Sequence, residues 1–332
     1  MQTQTKSDAE SQPILNVDDL TVYYKILRGY VKAVEGAHFK LGKGESLGLA
    51  GESGCGKTTV ALSIMRLLPP NGKIVKGKIL FKGTNIVDLQ ENQVKRDLRW
   101  KRISIVFQGA MNALNPVYTM AQQITEAIRL HEPHVSKEEA LERAKKLFEL
   151  VGIDPSRINN YPHEFSGGMR QRAMIAMALS CNPELLIADE PGTALDVIVQ
   201  AQVLKLLVEL KEKLNLSMIL ITHDLSIISE TCDSAVIMYA GKVVESGSVY
   251  HIFKEPLHPY TQGLIAAFPD IYAPKTEIKS IGGQPPDLLN PPSGCRFHPR
   301  CQYAMEMCRK LDPAFVEVAK GHFVACHLVG GS

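Results

Sequence analysis

The chain has 332 residues, of which 45% are hydrophobic, and its 37 Lys and Arg nearly balance its 35 Asp and Glu. This length can bury a large core, while the balanced charge excludes the strongly basic surface of a typical nucleic-acid-binding protein. No apolar run approaches the roughly 18 residues of a membrane-spanning helix, and the polar residues 1–13 are expected to be a flexible N-terminus without a secretion signal.

Five short apolar runs separated by turns occupy residues 14–50 and predict an antiparallel β region. The last of them, Ser46-Leu-Gly-Leu-Ala50, is typical of a buried strand. Three tyrosines in this region, Tyr23, Tyr24 and Tyr30, are candidates either for packing in a sheet face or for stacking on a planar ligand ring.

Residues 51–58, Gly-Glu-Ser-Gly-Cys-Gly-Lys-Thr, match the pattern G-x-x-x-x-G-K-[ST] of a phosphate-binding loop. Glycines let backbone N–H groups fold around phosphates, the Lys57 ammonium adds positive charge, and the Thr58 hydroxyl can bind Mg²⁺. A buried strand before the loop and an apolar helix over Thr59–Leu68 after it favour this interpretation over an ordinary glycine-rich turn. The predicted nucleotide-binding residues are Ser53, Gly54, Cys55, Gly56, Lys57, Thr58 and Thr59.

Another strand-like run, Ile103-Ser-Ile-Val-Phe107, ends at Gln108. Helical patterns follow at residues 119–131, 136–152 and 154–160, the second of them with the capping-box residues Ser136 and Glu139. The pattern predicts a helical insert over residues 109–164 between two sheet regions.

Polar residues recur where later segments begin or end. Ser166-Gly167-Gly168 open a predicted helix, Asp189 and Glu190 end an apolar run, and His223 follows the run 217–222. Open α/β sheets bind ligands at the carboxyl ends of their parallel strands, so carboxylates and an imidazole at these positions favour a metal-assisted reaction. Taken singly, each feature also has a structural explanation. The two glycines could be ordinary loop residues, the two acids an exposed turn, and the histidine a structural residue.

The composition changes after Pro256. Residues 269–294 are rich in Pro and Gly and predict an extended segment, which is followed by Cys295, Cys301, Cys308 and Cys326. Their spacings fit neither a zinc ribbon nor the usual ferredoxin pattern, yet four thiolates suit a 4Fe–4S cluster or a structural Zn²⁺. Reduced or disulfide-linked cysteines are the alternative.

The expected organisation is a flexible N-terminus at 1–13, a nucleotide-binding core at 14–108 and 165–255, the helical insert at 109–164, and an extension at 256–332.

Together and in this order, the motifs resemble the ATP-binding subunit of an ABC transporter over residues 14–255. After the phosphate loop, the matches are Gln108 as the Q-loop, Ser166-Gly167-Gly168-Met169 as the signature, Asp189-Glu190 as Walker B with the catalytic base, Ala194-Leu195-Asp196 as the D-loop, and His223 as the switch histidine. The resemblance implies an α/β fold: a P-loop ATPase core with a mainly parallel sheet, an antiparallel β subdomain, a helical subdomain and a cysteine-containing C-terminal extension.

The resemblance also implies a mechanism in which ATP lies between this phosphate loop and the signature of a second ATP-binding subunit. Thr58, Gln108 and Asp189 would hold Mg²⁺, Glu190 would activate the attacking water, and His223 would contact the γ-phosphate. The adenine-stacking aromatic of the family aligns nearest Arg28, which leaves Tyr30 as the candidate in this chain.

The partners implied by the resemblance are two transmembrane permease subunits, docked on the helical insert, and, indirectly, an extracytoplasmic solute-binding protein. The chain is then expected to lie peripherally at the cytoplasmic face of the membrane, with no nucleic-acid partner.

Within the ABC family the likeness is greatest to oligopeptide/dipeptide importer subunits. The segments that carry it are Leu114-Asn115-Pro116, 165–172, His258-Pro259-Tyr260-Thr261 and 294–301. Some such subunits hold an iron–sulfur cluster at matching cysteines, which favours a cluster over zinc here. The expected function is ATP hydrolysis that powers peptide import. Importers of oligosaccharides or nickel share this architecture, and an ABC ATPase of DNA maintenance is a weaker alternative because the interval between Gln108 and Ser166 is short.

Overall fold

The computed structural model describes residues 12–109, 113–193, 195–267 and 281–329. The strands within this part of the chain are β1 (Leu15–Ile26), β2 (Gly29–Leu41), β3 (Ser46–Ala50), β4 (Gly72–Phe81), β5 (Thr84–Asn85), β6 (Ile103–Val106), β7 (Leu185–Asp189), β8 (Ser217–Ile221), β9 (Ser234–Tyr239), β10 (Lys242–Ser248), β11 (Val316–Ala319) and β12 (His322–Val324).

The helices in the same part of the chain are α1 (Lys57–Ile64), α2 (Glu91–Gln93), α3 (Met120–His131), α4 (Lys137–Leu150), α5 (Gly167–Ala178), α6 (Val197–Leu214), α7 (Leu225–Thr231), α8 (Val249–Lys254), α9 (Pro259–Ala266) and α10 (Glu306–Lys310). A π-helical turn follows α2 at Val94–Leu98, and 3₁₀ turns lie at Pro155–Asn159, Pro162–Glu164 and His298–Arg300.

An antiparallel sheet in the order β2-β1-β4-β5 confirms the predicted antiparallel β region. The separate short runs predicted before Ser46 are wrong, however, because the chain forms two long strands, β1 and β2, joined by a tight hairpin. Their pairing shifts register at three points, and such bulges bend and twist a strand. Leu20 and Val22 nevertheless remain fully buried, so the sheet keeps a continuous apolar face.

The described residues also form a mixed sheet in the order β11-β12-β10-β9-β3-β8-β7-β6. Its members β6, β7, β8, β3 and β9 pair in parallel, which confirms the predicted parallel core. Every residue of β3, β7 and β8 is buried, and burial on both faces explains why these strands are almost uninterrupted apolar runs. Because their carboxyl ends lie at one edge, the residues that follow them converge there.

The predicted helical insert contains α3 and α4, within two residues of the predicted bounds at each end, and the third segment is a 3₁₀ turn rather than an α-helix. Ser136 and Glu139 form the predicted capping box. Helix α1 ends at Ile64, earlier than predicted, and α5 begins at Gly167 because Ser166 is its N-cap. Helix α5 packs with α3, α4 and α6 in one hydrophobic cluster.

The C-terminal extension returns to the sheet of the core. Part of the predicted extended segment lies outside the described residues, and residues 281–294 have no regular structure. Strand β12 pairs with β10, and the fully buried carboxylate of Glu245 accepts from His322 Nε2 at 2.8 Å and from the backbone N–H of Leu257. The predicted flexible N-terminus lies almost entirely outside the described residues. Among the residues described, no helix has the length and apolar character needed to cross a membrane.

Candidate functional site

The phosphate loop connects β3 to α1 and is pressed against neighbouring backbone. Gly51 has φ +145°, and a Cβ there would lie 2.1 Å from the Met238 carbonyl oxygen. Gly56 has φ +109°, and its Cβ would lie 2.4 Å from the Ala33 carbonyl oxygen. Glycine is therefore required at both positions for conformational and steric reasons. Between and after them, Ser53, Gly54 and Thr58 are exposed, whereas Cys55 and Thr59 are buried.

The Lys57 ammonium is folded back onto its own loop. It is buried, and its Nζ donates to the carbonyl oxygens of Gly51 at 2.6 Å and Glu52 at 3.0 Å. The Cys55 thiol lies 3.7 Å from the same nitrogen, and burial raises the pKa of that thiol despite the nearby charge. If Lys57 binds phosphate as predicted, its ammonium would exchange these carbonyl partners for phosphate oxygens.

Asp189 provides a carboxylate suited to a hard cation. The residue ends β7 with 1% exposure, and its Oδ1 is a buried atom without a hydrogen-bond partner in the described structure. Burial raises the pKa of this carboxyl group, and a hydrogen bond with Thr58 opposes the rise. An unsatisfied carboxylate oxygen beside a hydroxyl matches the oxygen ligands that Mg²⁺ prefers, so these residues fit the predicted metal.

Glu190 is the centre of a polar cluster at the sheet edge. Its φ of +46° turns the chain sharply out of β7. Its Oε2 accepts from Gln108 Nε2 at 2.7 Å and from Thr193 Oγ1 at 2.9 Å, and its Oε1 lies 3.3 Å from His223 Nδ1. The structure thus brings Gln108, Glu190 and His223 together. Sequence reasoning missed Thr193, whose only signal was its position three residues after Glu190.

Ser166 caps α5, which begins at Gly167 and Gly168 and packs in one hydrophobic cluster with α3, α4 and α6. Ser166 Oγ accepts from the Met169 N–H at 3.4 Å, as an N-cap does. A Cβ at Gly168 would lie 2.5 Å from Val199 Cγ1, so close packing on α6 explains this glycine. Of the predicted D-loop, Ala194 lies outside the described residues, and Asp196 is the N-cap of α6.

The predicted adenine contact, Tyr30, is 55% exposed near the hairpin end of β2, opposite Lys25 in the register. Its neighbour on the sheet, Tyr24, has a direct link to the nucleotide motif: its hydroxyl lies 3.2 Å from Thr59 Oγ1. Tyr24 is therefore a second aromatic candidate, and the sequence had marked it only as one of three tyrosines.

Cys295, Cys301, Cys308 and Cys326 line one small cavity together with His258 and Phe297. Burial, together with a smaller effect of the other three thiols, raises the pKa of Cys295 to about 11. All seven cysteines of the chain are free thiols, so no disulfide forms here. No group of three or more His, Cys, Asp or Glu side chains in the described part of the chain is arranged to hold a metal ion.

Two known families match separate parts of the chain. The family described as "ABC transporter" matches residues 34–193, which include the phosphate loop, Asp189 and Glu190. The family described as "Oligopeptide/dipeptide transporter, C-terminal region" matches residues 244–308, which include three of the four clustered cysteines.

The chain is similar over nearly its whole length to curated proteins. A protein of Sinorhizobium fredii named "Probable peptide ABC transporter ATP-binding protein y4tR" is 47% identical over 98% of this chain and 97% of its own. The oligopeptide transport ATP-binding protein OppD of Bacillus subtilis is 47% identical over 95% of this chain and 89% of its own. OppD of Escherichia coli is 45% identical over 96% of this chain and 94% of its own.

Solved structures agree with the fold. The cbiO1 protein from Clostridium perfringens, part of the ABC transporter complex cbiONQ, has a TM-score of 0.64 and 28% identity over 74% of this chain and 92% of its own. The ATP-binding cassette MJ0796, a dimer bound to ADP and Pi in a post-hydrolysis state, has a TM-score of 0.63 and 25% identity. The match covers 71% of this chain and 98% of its own. The sequence match, the phosphate loop and the sheet-edge carboxylates lead to one conclusion: this chain belongs to the family of ABC transporter ATP-binding proteins.

Proposed function

We propose that this chain is the ATP-hydrolysing subunit of a peptide importer. The observation that carries the proposal is the cluster of Gln108, Glu190 and His223 at the sheet edge where the phosphate loop begins. Two further findings support peptides as the cargo: the near full-length relatives named for peptide transport, and the match of residues 244–308 to the C-terminal region of such transporters. Nickel or oligosaccharide import is the alternative that shares this architecture.

The residues of the site supply positioning and charge, which dominate phosphoryl transfer to water. Lys57 and the backbone N–H groups of residues 53–59 would hold the β- and γ-phosphates. Thr58, Gln108 and Asp189 would hold Mg²⁺, which when bound neutralises charge that develops on the phosphates. Glu190 would take the proton of the attacking water, and His223 would contact the γ-phosphate. Tyr24 or Tyr30 would stack on the adenine ring.

A second ATP-binding subunit would complete the site. The signature Ser166-Gly167-Gly168 opens α5, whose buried residues belong to one hydrophobic cluster, whereas Cys55 of the phosphate loop belongs to another. The dimeric state of MJ0796 with ADP and Pi supports a pair of ATP-binding subunits, in which each signature would close on the partner's nucleotide. The insert at 109–164 would dock on two permease subunits at the cytoplasmic face of the membrane, with a solute-binding protein acting outside.

The four clustered cysteines would hold a 4Fe–4S cluster, with Zn²⁺ as the alternative. The support for such a site is that all four thiols line one small cavity, and four thiolates are the ligand set of a 4Fe–4S cluster. Anaerobic purification should yield a brown protein with visible charge-transfer absorbance and about four irons per chain. A colourless protein with one zinc per chain would contradict the cluster.

The function is tested by transport in proteoliposomes that contain the chain, a second ATP-binding subunit, the permease subunits and the solute-binding protein. ATP should drive uptake of a labelled tri- or tetrapeptide, and the Glu190→Gln variant should support none. Labelled Ni²⁺ and a labelled oligosaccharide are the comparison cargoes. Uptake of Ni²⁺ or the oligosaccharide without uptake of peptides would contradict the proposal that peptides are the cargo. Peptide uptake without ATP would contradict the proposal that this chain powers import.

A further inference from the structure

The C-terminal extension contacts the phosphate loop through a partly buried ion pair. Glu52, the second residue of the loop, receives two hydrogen bonds from Arg300: Nη1 to Oε2 at 2.7 Å and Nη2 to Oε1 at 2.9 Å. The side chain of Arg300 is 4% exposed and that of Glu52 is 27% exposed. Such a two-point pairing fixes the orientation of both groups as well as their separation.

Arg300 is itself held from other directions. Its Nε donates to the Gly282 carbonyl oxygen at 2.8 Å, and its guanidinium carbon lies 5.6 Å from the centre of the Tyr239 ring. The arginine is therefore a rigid support with few alternative rotamers.

A second contact from the extension reaches the same residue of the loop. The Glu52 backbone N–H donates to the hydroxyl oxygen of Tyr260 at 2.9 Å. Tyr260 is fully buried, and its ring packs against those of Tyr239 and Phe297 at centroid distances of 4.7 and 5.4 Å. The extension thus holds Glu52 by both its side chain and its backbone.

The position of Glu52 bears directly on the phosphate-binding lysine. The Glu52 carbonyl oxygen accepts from Lys57 Nζ at 3.0 Å, so Glu52 connects Arg300 and Tyr260 on one side to the Lys57 ammonium on the other. If Glu52 shifts, the loop that must wrap the phosphates and the resting position of the ammonium shift with it.

We propose that Arg300 is a positioning residue for nucleotide binding: through Glu52, the C-terminal extension holds the phosphate loop in its binding conformation. The inference rests on ATP binding at residues 51–58. Because Arg300 directly precedes Cys301, the same contact links the four-cysteine cavity to the phosphate loop.

The test is a double-mutant cycle with Arg300→Gln, Glu52→Gln and the double variant of the full chain. Mg·ADP binding is measured by titration calorimetry, because ADP is not hydrolysed. Each single variant should raise the Kd for Mg·ADP about tenfold, the order expected for loss of one charge-assisted pair. The double variant should be no worse than either single variant, because both remove the same interaction.

Two controls separate positioning from general stability. Arg309→Gln alters an exposed arginine of the same extension and should leave the Kd unchanged. Arg300→Lys keeps the charge without the two-point geometry and should recover part of the affinity. For ATP hydrolysis, the KM should rise about tenfold while kcat stays within about twofold.

The proposal is overturned if the single variants bind Mg·ADP with unchanged affinity, or if their effects add in the double variant. A lowered unfolding temperature with unchanged Kd and KM would also overturn it, since that result indicates a purely structural pair. A wild-type chain that binds no Mg·ADP would instead contradict the proposed function, so the two failures are distinguishable.

Discussion

Gln108 donates a hydrogen bond from its Nε2 to Glu190 Oε2 at 2.7 Å. The two residues are 82 positions apart and follow the neighbouring parallel strands β6 and β7. The contact engages the proposed catalytic carboxylate with the glutamine that is expected to contact Mg²⁺. If Gln108 contacts Mg²⁺ as proposed, this hydrogen bond would have to break when Mg·ATP binds, which would leave Glu190 Oε2 free to accept from water.

Replacing the proposed base should separate hydrolysis from binding. Glu190→Gln keeps the size of the side chain but cannot accept a proton, so ATP hydrolysis should fall by about 10²- to 10⁴-fold. The Kd for ATP should change little, because the phosphates are held by the loop. Steady-state phosphate release and equilibrium binding measure the two quantities. Glu212→Gln, at an exposed acid near the end of α6, is the control and should hydrolyse ATP normally. Hydrolysis at the wild-type rate in the Glu190 variant would refute the assignment.

Asp189 should account for the effect of magnesium on nucleotide affinity. Asp189→Asn leaves a weaker oxygen ligand in place of the carboxylate with the unpartnered Oδ1. Mg·ATP binding should weaken by more than about tenfold. Loss of a residue that only hydrogen-bonds to a metal ligand already costs about that much, and Asp189 is expected to be a ligand itself. ATP titrations with Mg²⁺ and with EDTA should then give nearly equal affinities. A variant whose affinity still responds to Mg²⁺ as the wild type does would exclude Asp189 as a ligand.

The signature glycine can be tested for packing and function separately. Gly168→Ala should destabilise the chain by about 1–3 kcal/mol, because the added Cβ collides with Val199 Cγ1. Adding Val199→Ala removes the obstructing methyl groups and should recover most of that loss in chemical denaturation, relative to Val199→Ala alone. If Gly168 also approaches the partner's nucleotide, ATP hydrolysis by the assembled pair stays impaired in the double variant. Recovery of both stability and hydrolysis would reduce Gly168 to a packing residue.

Burial of His258 predicts a specific dependence of stability on pH. Burial lowers the pKa of His258 to about 3 from its ordinary value of 6.5, and the ring stays neutral with Nδ1 accepting from the Tyr260 N–H. Between these two values the unfolded chain binds a proton that the folded chain does not. The free energy of unfolding should therefore fall as pH decreases below 6.5, with this group contributing at most about 1.4 kcal/mol per pH unit.

His258 is the N-cap of α9, and His258→Asn tests this dependence because asparagine can also accept at the N-cap but does not titrate. The variant should be less stable than the wild type near neutral pH, since a buried ring is lost. Its stability should decline less steeply between about pH 6.5 and pH 5. Denaturant unfolding at several pH values measures both slopes. Parallel curves for the two proteins would mean that His258 is protonated in the folded state as well.

Most of the nucleotide site was predictable from local sequence. Three of its parts are recognisable as short continuous sequence patterns, because each depends on one turn or one strand. They are the phosphate loop, the buried strand that ends in two acids, and the strand that ends in histidine. Parallel pairing of β6, β7 and β8 then follows from their apolar runs and explains why Gln108, Glu190 and His223 meet.

Contacts between distant segments left no such signature. Tyr24 on Thr59 and Arg300 on Glu52 involve ordinary residue types, and only the three-dimensional path of the chain makes them neighbours. The gathering of the four cysteines around one cavity is of the same kind, since their spacing matches no standard pattern.

The sequence by itself determined the family, the nucleotide motifs and the alternation of strands and helices, because periodicity and glycine-rich turns are local properties. Only the tertiary structure decided how the extension returns to the core and holds Glu52. That contact spans 248 residues and depends on how the buried rings of Tyr239, Tyr260 and Phe297 pack, which is a property of the folded chain.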